Sequence, residues 1–172
     1  MKNIFITAPR GYGKTTALKK TIGLIDKQVS GFEVGKKFMT DSKEFYICDI
    51  ENTSYNCLIA YSKSNSKPVA NIEGFENHGC EILKKAISSE NIIIMDEIGF
   101  LEENAPKFKQ SVIDSLNSSN IVIGVLKKFN GEFINYIKSR DDVLVLELTL
   151  ENRDDIPNQI LKHIRRFECN EI

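Results

Sequence analysis

The 172-residue sequence has no marked excess of charge of either sign. Lys and Arg number 23 and Asp and Glu number 24, so the formal net charge is -1. A basic excess would be the electrostatic mark of a chain that binds nucleic acid. Nucleic acid is therefore not an expected partner, although a local basic patch would not show in this total. The sequence identifies no protein partner.

Long apolar runs are also missing. The apolar stretches have the length of single strands, so no membrane span is expected. The first strand begins at once, which leaves no room for a signal peptide. Hydrophobic residues make up 41% and charged residues 27%, a composition typical of soluble globular proteins. We therefore expect a cytoplasmic protein with no membrane partner.

Cysteine and histidine are too few and too scattered for a metal cluster. No C-x-x-C pair occurs, and no histidine lies at ligand spacing from a cysteine. In the cytosol such thiols stay reduced, so we interpret them as structural. The residues concerned are Cys48, Cys57, Cys80, Cys169, His78 and His163.

What the sequence does contain is a phosphate-binding loop near its start. An apolar strand pattern leads into a glycine-containing loop and then a helix, and Ala8–Thr15 fits the loop pattern with Ala8 where glycine is more usual. The two glycines let backbone N–H groups turn toward a phosphate, and the following helix directs its positive dipole end at the same anion. Lys14 suits the β- and γ-phosphates, and the Thr15 hydroxyl suits Mg²⁺. The predicted nucleotide-binding residues of the loop are Ala8, Pro9, Arg10, Gly11, Tyr12, Gly13, Lys14, Thr15 and Thr16.

A second part of the site follows the apolar run 92–95. Asp96 and Glu97 come at the carboxyl end of this predicted buried strand, which is the Walker B arrangement. Asp96 would hold Mg²⁺ together with Thr15. Glu97 would orient and deprotonate a water that attacks the γ-phosphate. We predict Glu97 and Lys14 as catalytic residues, Thr15 and Asp96 as metal ligands, and Mg²⁺ as the cofactor.

Strand and helix patterns alternate along most of the chain and predict an α/β fold. The alternation favours a mainly parallel, doubly wound sheet in a three-layer α/β/α arrangement, built as one domain over residues 1–172. Residues 29–72 differ in texture, because short β-rich pieces alternate there with polar turns. We predict a small antiparallel insert after the first helix, which is either a flap near the site or an edge extension of the sheet. The predicted helices cover about 14–26, 75–88, 105–118, 133–137 and 156–167.

The carboxylate pair favours hydrolysis over transfer to another acceptor. A hydrolase needs a base for water, and Glu97 can serve. A nucleotide kinase usually closes an arginine-bearing lid over the phosphates, but no arginine lies between Arg10 and Arg140. Phosphoryl transfer to an alcohol, with Glu97 as base, stays open as an alternative. A nucleotide-dependent switch without catalysis is the other.

Three further features have two interpretations each. Arg10 could lean toward the γ-phosphate or be an exposed arginine. Lys127, at the end of the apolar run 121–126, could sense the γ-phosphate or be a solvated lysine. Asn152 and Arg153 could contact the base, or this segment could be a helix cap with a surface salt bridge.

Taken together, these motifs resemble those of the small P-loop nucleoside-triphosphatase family, which is known from thermophiles and has a cancer-related human member. The likeness spans nearly the whole chain and includes the loop at 8–16, Gly31-Phe32, Asp96-Glu97-Ile98-Gly99 with Glu102, Phe108, Leu148-Thr149 and Glu151-Asn152-Arg153-Asp154. The resemblance implies Mg²⁺-dependent hydrolysis of ATP, GTP and other nucleoside triphosphates to diphosphates. It also implies that Lys14, Thr15, Asp96 and Glu97 occupy the family's site positions and that Arg153 lies near the base.

Two departures from the family pattern concern the loop and the insert. Ala8 and Arg10 stand where the family often has Gly and Pro. After Gly31-Phe32 the family usually has Thr and Glu, whereas here the sequence continues Glu33-Val34-Gly35-Lys36. We therefore expect contacts from the insert, and with them substrate preference, to differ.

Overall fold

The computed structural model describes residues 1–64 and 66–169, which form eight strands and five α-helices. The strands are β1 (Asn3–Ala8), β2 (Val29–Phe38), β3 (Ser42–Asp49), β4 (Asn56–Lys63), β5 (Val69–Ala70), β6 (Ile92–Ile98), β7 (Val122–Lys127) and β8 (Val143–Glu147). The helices are α1 (Lys14–Ile22), α2 (Cys80–Ile87), α3 (Pro106–Asn117), α4 (Glu132–Lys138) and α5 (Ile156–Cys169). A π-helical segment, Gly74–Gly79, leads into α2.

All eight strands belong to one sheet in the order β5-β4-β3-β2-β6-β7-β1-β8. The five strands from β2 to β8 in this order pair in parallel, and β2 to β5 pair antiparallel. Strand β1 lies between β7 and β8, and β7 separates β1 from β6. Because the strands are parallel, the carboxyl ends of β1, β6 and β7 meet at one edge of the sheet.

Helices cover both faces of the sheet, so the predicted three-layer α/β/α fold is confirmed. Alternation along β1 explains the division, since Ile4 and Ile6 face one way and Phe5 the other. The first face packs against α1 and α5, with Leu18 and Ile160 in its core. The second packs against α2, α3 and α4.

The antiparallel part is an edge extension of the main sheet. Strand β2, at its start, pairs in parallel with β6, so this strand belongs to the core sheet and to the antiparallel ribbon at once. The predicted small antiparallel part after the first helix is therefore present, and its first strand, β2, also belongs to the parallel core. Only β3, β4 and β5 lie outside the parallel core.

Two predicted helices differ from those observed. Helix α1 ends at Ile22, four residues before the predicted end, and the N–H of the next residue, Gly23, still binds the Lys19 carbonyl. The periodic stretch beginning at Phe75 starts as a π-helical turn rather than an α-helix. None of the helices among the described residues is long and apolar enough to cross a membrane.

Candidate functional site

The loop between β1 and α1 has the backbone shape of an anion cradle. Gly11 and Gly13 both adopt positive φ, at 86° and 96°. A side chain would be strained at either position, so the two glycines are what allows this turn. Successive N–H groups at such a turn, together with the N-terminus of α1, form a site for phosphate oxygens.

Lys14 lies inside this loop and is only 9% exposed. Its ammonium donates hydrogen bonds to the carbonyl oxygens of Ala8 at 3.0 Å and Pro9 at 3.3 Å. Burial lowers the pKa of Lys14, because desolvation disfavours the charged amine, and Lys127 and Lys36 add repulsion. An anionic phosphate next to Lys14 would offset both effects.

Thr15 and Asp96 meet across the gap between α1 and β6. The Thr15 hydroxyl donates a hydrogen bond of 3.3 Å to Asp96 Oδ1. Asp96 is 5% exposed, and burial raises its pKa to about 6, with Glu97 and Glu33 contributing repulsion and the Thr15 hydrogen bond opposing the rise. A cation placed beside Asp96 would relieve this unfavourable burial of negative charge.

The donor set at this point suits Mg²⁺. A hydroxyl and a carboxylate are the hard oxygen ligands that Mg²⁺ prefers. Their separation of 3.3 Å is close to the roughly 3 Å between neighbouring ligands of an octahedral Mg²⁺ ion. Among the described residues, no group of three or more His, Cys, Asp and Glu could hold a metal alone. The remaining ligands would therefore come from phosphates and water, which is the usual arrangement for this ion.

Glu97 stands between two lysines at the carboxyl end of β6. Its Oε2 lies 4.0 Å from the Lys14 ammonium, and its Oε1 lies 3.3 Å from that of Lys127. The pairing of β6 with β7 shifts between Asp96 and Ile98, so Glu97 has no partner in the ladder. The peptide bond between Asp96 and Glu97 is cis. The contact with Lys14 shows that the Glu97 carboxylate lies on the side of the phosphate loop.

A cavity of about 50 Å³ adjoins Glu97. Its lining combines charged and polar groups with apolar side chains of β2–β4, the π-helical segment and the loop after β6. The lining residues are Thr15, Val34, Lys36, Phe45, Ile59, Phe75, Asp96, Glu97, Gly99, Phe100, Leu101, Glu102 and Lys127. The antiparallel extension thus contributes walls to the site, although it is continuous with the sheet.

A second cavity, of about 350 Å³, lies on the other side of the phosphate loop. Its lining residues are Gly11, Tyr12, Gly13, Thr16, Ala17, Lys20, Arg153 and Asp154. Arg153 is exposed at this cavity. Arg153 and residues of the phosphate loop thus line the same cavity.

The residues around Arg153 have structural roles as well. Asn152 closes a turn before α5, because its Oδ1 accepts the Thr149 N–H at 2.8 Å. Asp154 forms an ion pair of 2.9 Å with Lys20. The surface salt bridge is therefore present for Asp154, and the Asn152 side chain stabilises the turn that precedes α5. Arg10 is exposed.

Three further residues of the site have no mark in the local sequence pattern. Glu33 pairs with Asp96 in the β2–β6 register and forms an ion pair of 3.0 Å with Lys19. Lys36, three residues further along β2, lines the cavity beside Glu97. Glu102 is buried beside the same cavity and accepts a hydrogen bond from the Gly99 N–H. Glu102 was indicated only by the family resemblance. The positions of Glu33 and Lys36 at the site depend on how β2 pairs with its neighbours, which local sequence does not show.

Comparisons with known proteins find relatives over nearly the whole chain. Residues 3–161 match the family model described as NTPase. The nucleoside-triphosphatase THEP1 of Thermotoga petrophila is 32% identical over 98% of this chain and 95% of its own length. The protein of the same name from Methanocaldococcus jannaschii is 30% identical over 94% of this chain and 96% of its own length.

Solved structures share the fold. The crystal structure of THEP1 from Aquifex aeolicus has a TM-score of 0.77 and 26% identity, and the match covers 94% of this chain and 98% of that one. The solution structure of a human cancer-related nucleoside triphosphatase has a TM-score of 0.78 at 22% identity, covering 96% and 98%, and this likeness concerns the fold alone. The resemblance inferred from the motifs is confirmed. The chain belongs to the NTPase family, the small P-loop nucleoside-triphosphatase family whose motifs it carries.

Proposed function

We propose that this protein is a Mg²⁺-dependent phosphohydrolase that converts nucleoside triphosphates to diphosphates and phosphate. One observation carries the proposal: the Thr15 hydroxyl and Asp96 carboxylate lie 3.3 Å apart, with Glu97 next to them and facing the phosphate loop. A metal-binding pair, a phosphate cradle and a base thus meet at one edge of the sheet. The names of the related nucleoside-triphosphatases support the same reaction.

In this proposal, the loop from Ala8 to Thr16 binds the phosphates through its N–H groups. Lys14 exchanges its hydrogen bonds with the Ala8 and Pro9 carbonyls for bonds to the β- and γ-phosphates. Thr15 and Asp96 hold Mg²⁺, which when bound neutralises phosphate charge and positions the γ-phosphate. Arg153 contacts the nucleoside at the 350 Å³ cavity.

Glu97 acts as general base on the attacking water. One carboxylate oxygen accepts a proton from the water. At the same time the water oxygen forms a bond to the γ-phosphorus, and the bond between the γ-phosphorus and the β,γ-bridging oxygen breaks. The ammonium groups of Lys14 and Lys127 lie 4.0 Å and 3.3 Å from the two carboxylate oxygens of Glu97. The cavity next to Glu97, about 50 Å³, has room for a few water molecules.

The size of this cavity also supports hydrolysis over transfer. Pockets for a second substrate of nucleotide size are typically about 300 Å³ or larger. A kinase reaction at this site would need the apolar wall from β2–β4 to move away from Glu97. We therefore keep phosphoryl transfer and a partner-dependent switch only as outcomes of the test.

The test is phosphate release from ATP, GTP, CTP and UTP with Mg²⁺, comparing the parent with Glu97→Gln. We expect steady release from the parent and a loss of at least about 100-fold in the variant, with nucleotide binding retained. The exposed Glu90, outside the site, gives the control Glu90→Gln, which should keep the parent rate. Phosphate release from the parent that survives in Glu97→Gln would contradict the assigned base. Tight binding without release would contradict hydrolysis and favour an acceptor or a partner.

A further inference from the structure

Lys127 lies beside both halves of the proposed site. Strand β7 runs between β1 and β6, and its last residue pairs with Ala8 at the start of the phosphate loop. On its other side β7 pairs with β6, where Val125 is opposite Asp96 and Leu126 opposite Ile98. The strand order therefore places the Lys127 side chain between the loop and Glu97.

The Lys127 side chain is held by three contacts. Its ammonium lies 3.3 Å from Glu97 Oε1 and 4.4 Å from the centre of the Phe100 ring. Its aliphatic stem lies directly on Gly99, where an added Cβ would be 2.9 Å from Lys127 Cδ and 3.1 Å from its Cβ. The side chain is 35% exposed, so it is partly screened from water. A lysine fixed in this way is more than a solvated charge at a strand end.

The two carboxylate oxygens of Glu97 face different lysines. Lys127 lies at Oε1, and the more distant Lys14 lies 4.0 Å from Oε2. When phosphate binds in the loop, Lys14 has a more highly charged anion as its partner. Lys127 then remains the cation that fixes Glu97, while Oε2 becomes free to accept a hydrogen bond from water.

We propose that Lys127 is a positioning residue that anchors Glu97 through Oε1 and so orients Oε2 toward the attacking water. This inference rests on the proposed hydrolase function and adds a division of labour between the two lysines. Lys14 binds the phosphates, and Lys127 holds the Glu97 carboxylate in place. Loss of Lys127 should therefore lower kcat without weakening nucleotide binding.

The neighbouring Lys128 provides a matched control. Its ammonium pairs with Glu147 Oε1 at 3.0 Å, and its side chain is 55% exposed. Lys127→Met and Lys128→Met thus remove the same charge from adjacent positions. Lys127→Arg keeps the cation over Phe100 and tests rescue.

The expected loss follows from a single charge-assisted contact that is partly exposed to solvent. We expect Lys127→Met to lower kcat about tenfold, with KM for Mg-ATP and its dissociation constant changed by less than about twofold. Lys127→Arg should recover most of the rate, and Lys128→Met should match the parent. The melting temperatures of all variants should stay within about 3 °C of the parent, since these side chains are not in the core.

The double variant separates positioning of Glu97 from other roles. In a Glu97→Gln background, adding Lys127→Met should change single-turnover release by less than about twofold, because the group to be positioned is gone. A full tenfold loss in that background would overturn the inference. So would an unchanged kcat in Lys127→Met, or a raised KM at constant kcat, which would place this ammonium on the γ-phosphate instead.

Failure of the inference and failure of the proposed function can be told apart. If Glu97→Gln loses activity and Lys127→Met does not, the hydrolase assignment stands and the role of Lys127 is wrong. If Glu97→Gln keeps the parent rate, or the parent releases no phosphate, both are wrong.

Discussion

The buried carboxyl of Glu102 should make the stability of this protein fall as pH rises. Glu102 is 2% exposed, and burial raises its pKa from the ordinary 4.5 to about 7, although the Gly99 N–H bound to it opposes the rise. A folded-state pKa above the unfolded value means that the folded protein binds the proton more tightly. The resulting stabilisation is fully present below about pH 4.5 and is lost as pH rises through about 7.

The size of the effect follows from the two pKa values. A pKa that rises from 4.5 to about 7 corresponds to a free-energy difference of about 3 kcal/mol. Glu102→Gln removes the titrating group but keeps an oxygen that can accept the Gly99 N–H. Relative to this variant, the parent should therefore lose up to about 3 kcal/mol of unfolding free energy between pH 5 and pH 8.

The assay is urea denaturation at several pH values from 5 to 8, without nucleotide or Mg²⁺. The quantity of interest is the difference in unfolding free energy between the parent and Glu102→Gln, because other titrating groups cancel in it. Glu90→Gln, at an exposed position, serves as the control and should follow the parent at every pH. A difference between the parent and Glu102→Gln that stays constant within about 0.5 kcal/mol would refute the reasoning.

Four further predictions concern the site and the core. Lys14→Met should weaken Mg-ATP binding at least about tenfold, as measured by titration calorimetry. The control Lys27→Met, which removes a lysine paired with Glu168, should leave the affinity unchanged. Equal affinities of the two variants would contradict the role of Lys14. The Mg²⁺ concentration that gives half-maximal phosphate release should rise as pH falls below about 6, because Asp96 must lose its proton to bind the metal. If this concentration stays constant from about pH 5.5 to 8, Asp96 is not a ligand. Arg153→Ala should raise KM for nucleotides severalfold at nearly constant kcat, since Arg153 lines the cavity proposed for the nucleoside and Glu97 lines a different one. A fall in kcat alone would place Arg153 elsewhere in the mechanism. Phe108→Ala should lower the unfolding free energy by about 3–5 kcal/mol, because this ring is 1% exposed and packs against Phe32 and Phe75. In the same denaturation experiment, Phe38→Ala should change the unfolding free energy by less than about 0.5 kcal/mol, because Phe38 is 72% exposed.

Short-range pattern was enough to predict the parts of the site that lie within single segments. The loop from Ala8 to Thr16 and the pair Asp96–Glu97 each follow an apolar strand, and the alternation of elements predicts a parallel sheet that brings such ends together. The structure shows these segments meeting, with Thr15 hydrogen-bonded to Asp96.

Contacts that depend on strand order could not be predicted in the same way. Glu33 is opposite Asp96 only because β2 pairs with β6, and Lys127 faces Glu97 only because β7 separates β6 from β1. Apolar periodicity indicates that a strand is buried, but it does not specify which strand lies next to it.

Helix geometry shows a similar limit. The apolar spacing after Phe75 predicted an ordinary helix, but two glycines, Gly74 and Gly79, bound a π-helical turn there. A Cβ on Gly79 would lie 2.7 Å from the Phe108 ring, so the turn brings this segment against α3 more closely than a larger residue would permit. That close approach depends on a partner distant in sequence.

The double pairing of β2 has a mechanical consequence. Because β2 pairs with β6 over residues 29–33 and with β3 over residues 32–38, one continuous strand joins the ribbon of β3, β4 and β5 to the core sheet. Separating this ribbon from the core sheet would break backbone hydrogen bonds within the eight-stranded sheet. We therefore expect exchange of nucleotide and product to depend on small movements of the connecting segments 9–13 and 99–105, with the sheet acting as a stiff frame throughout turnover.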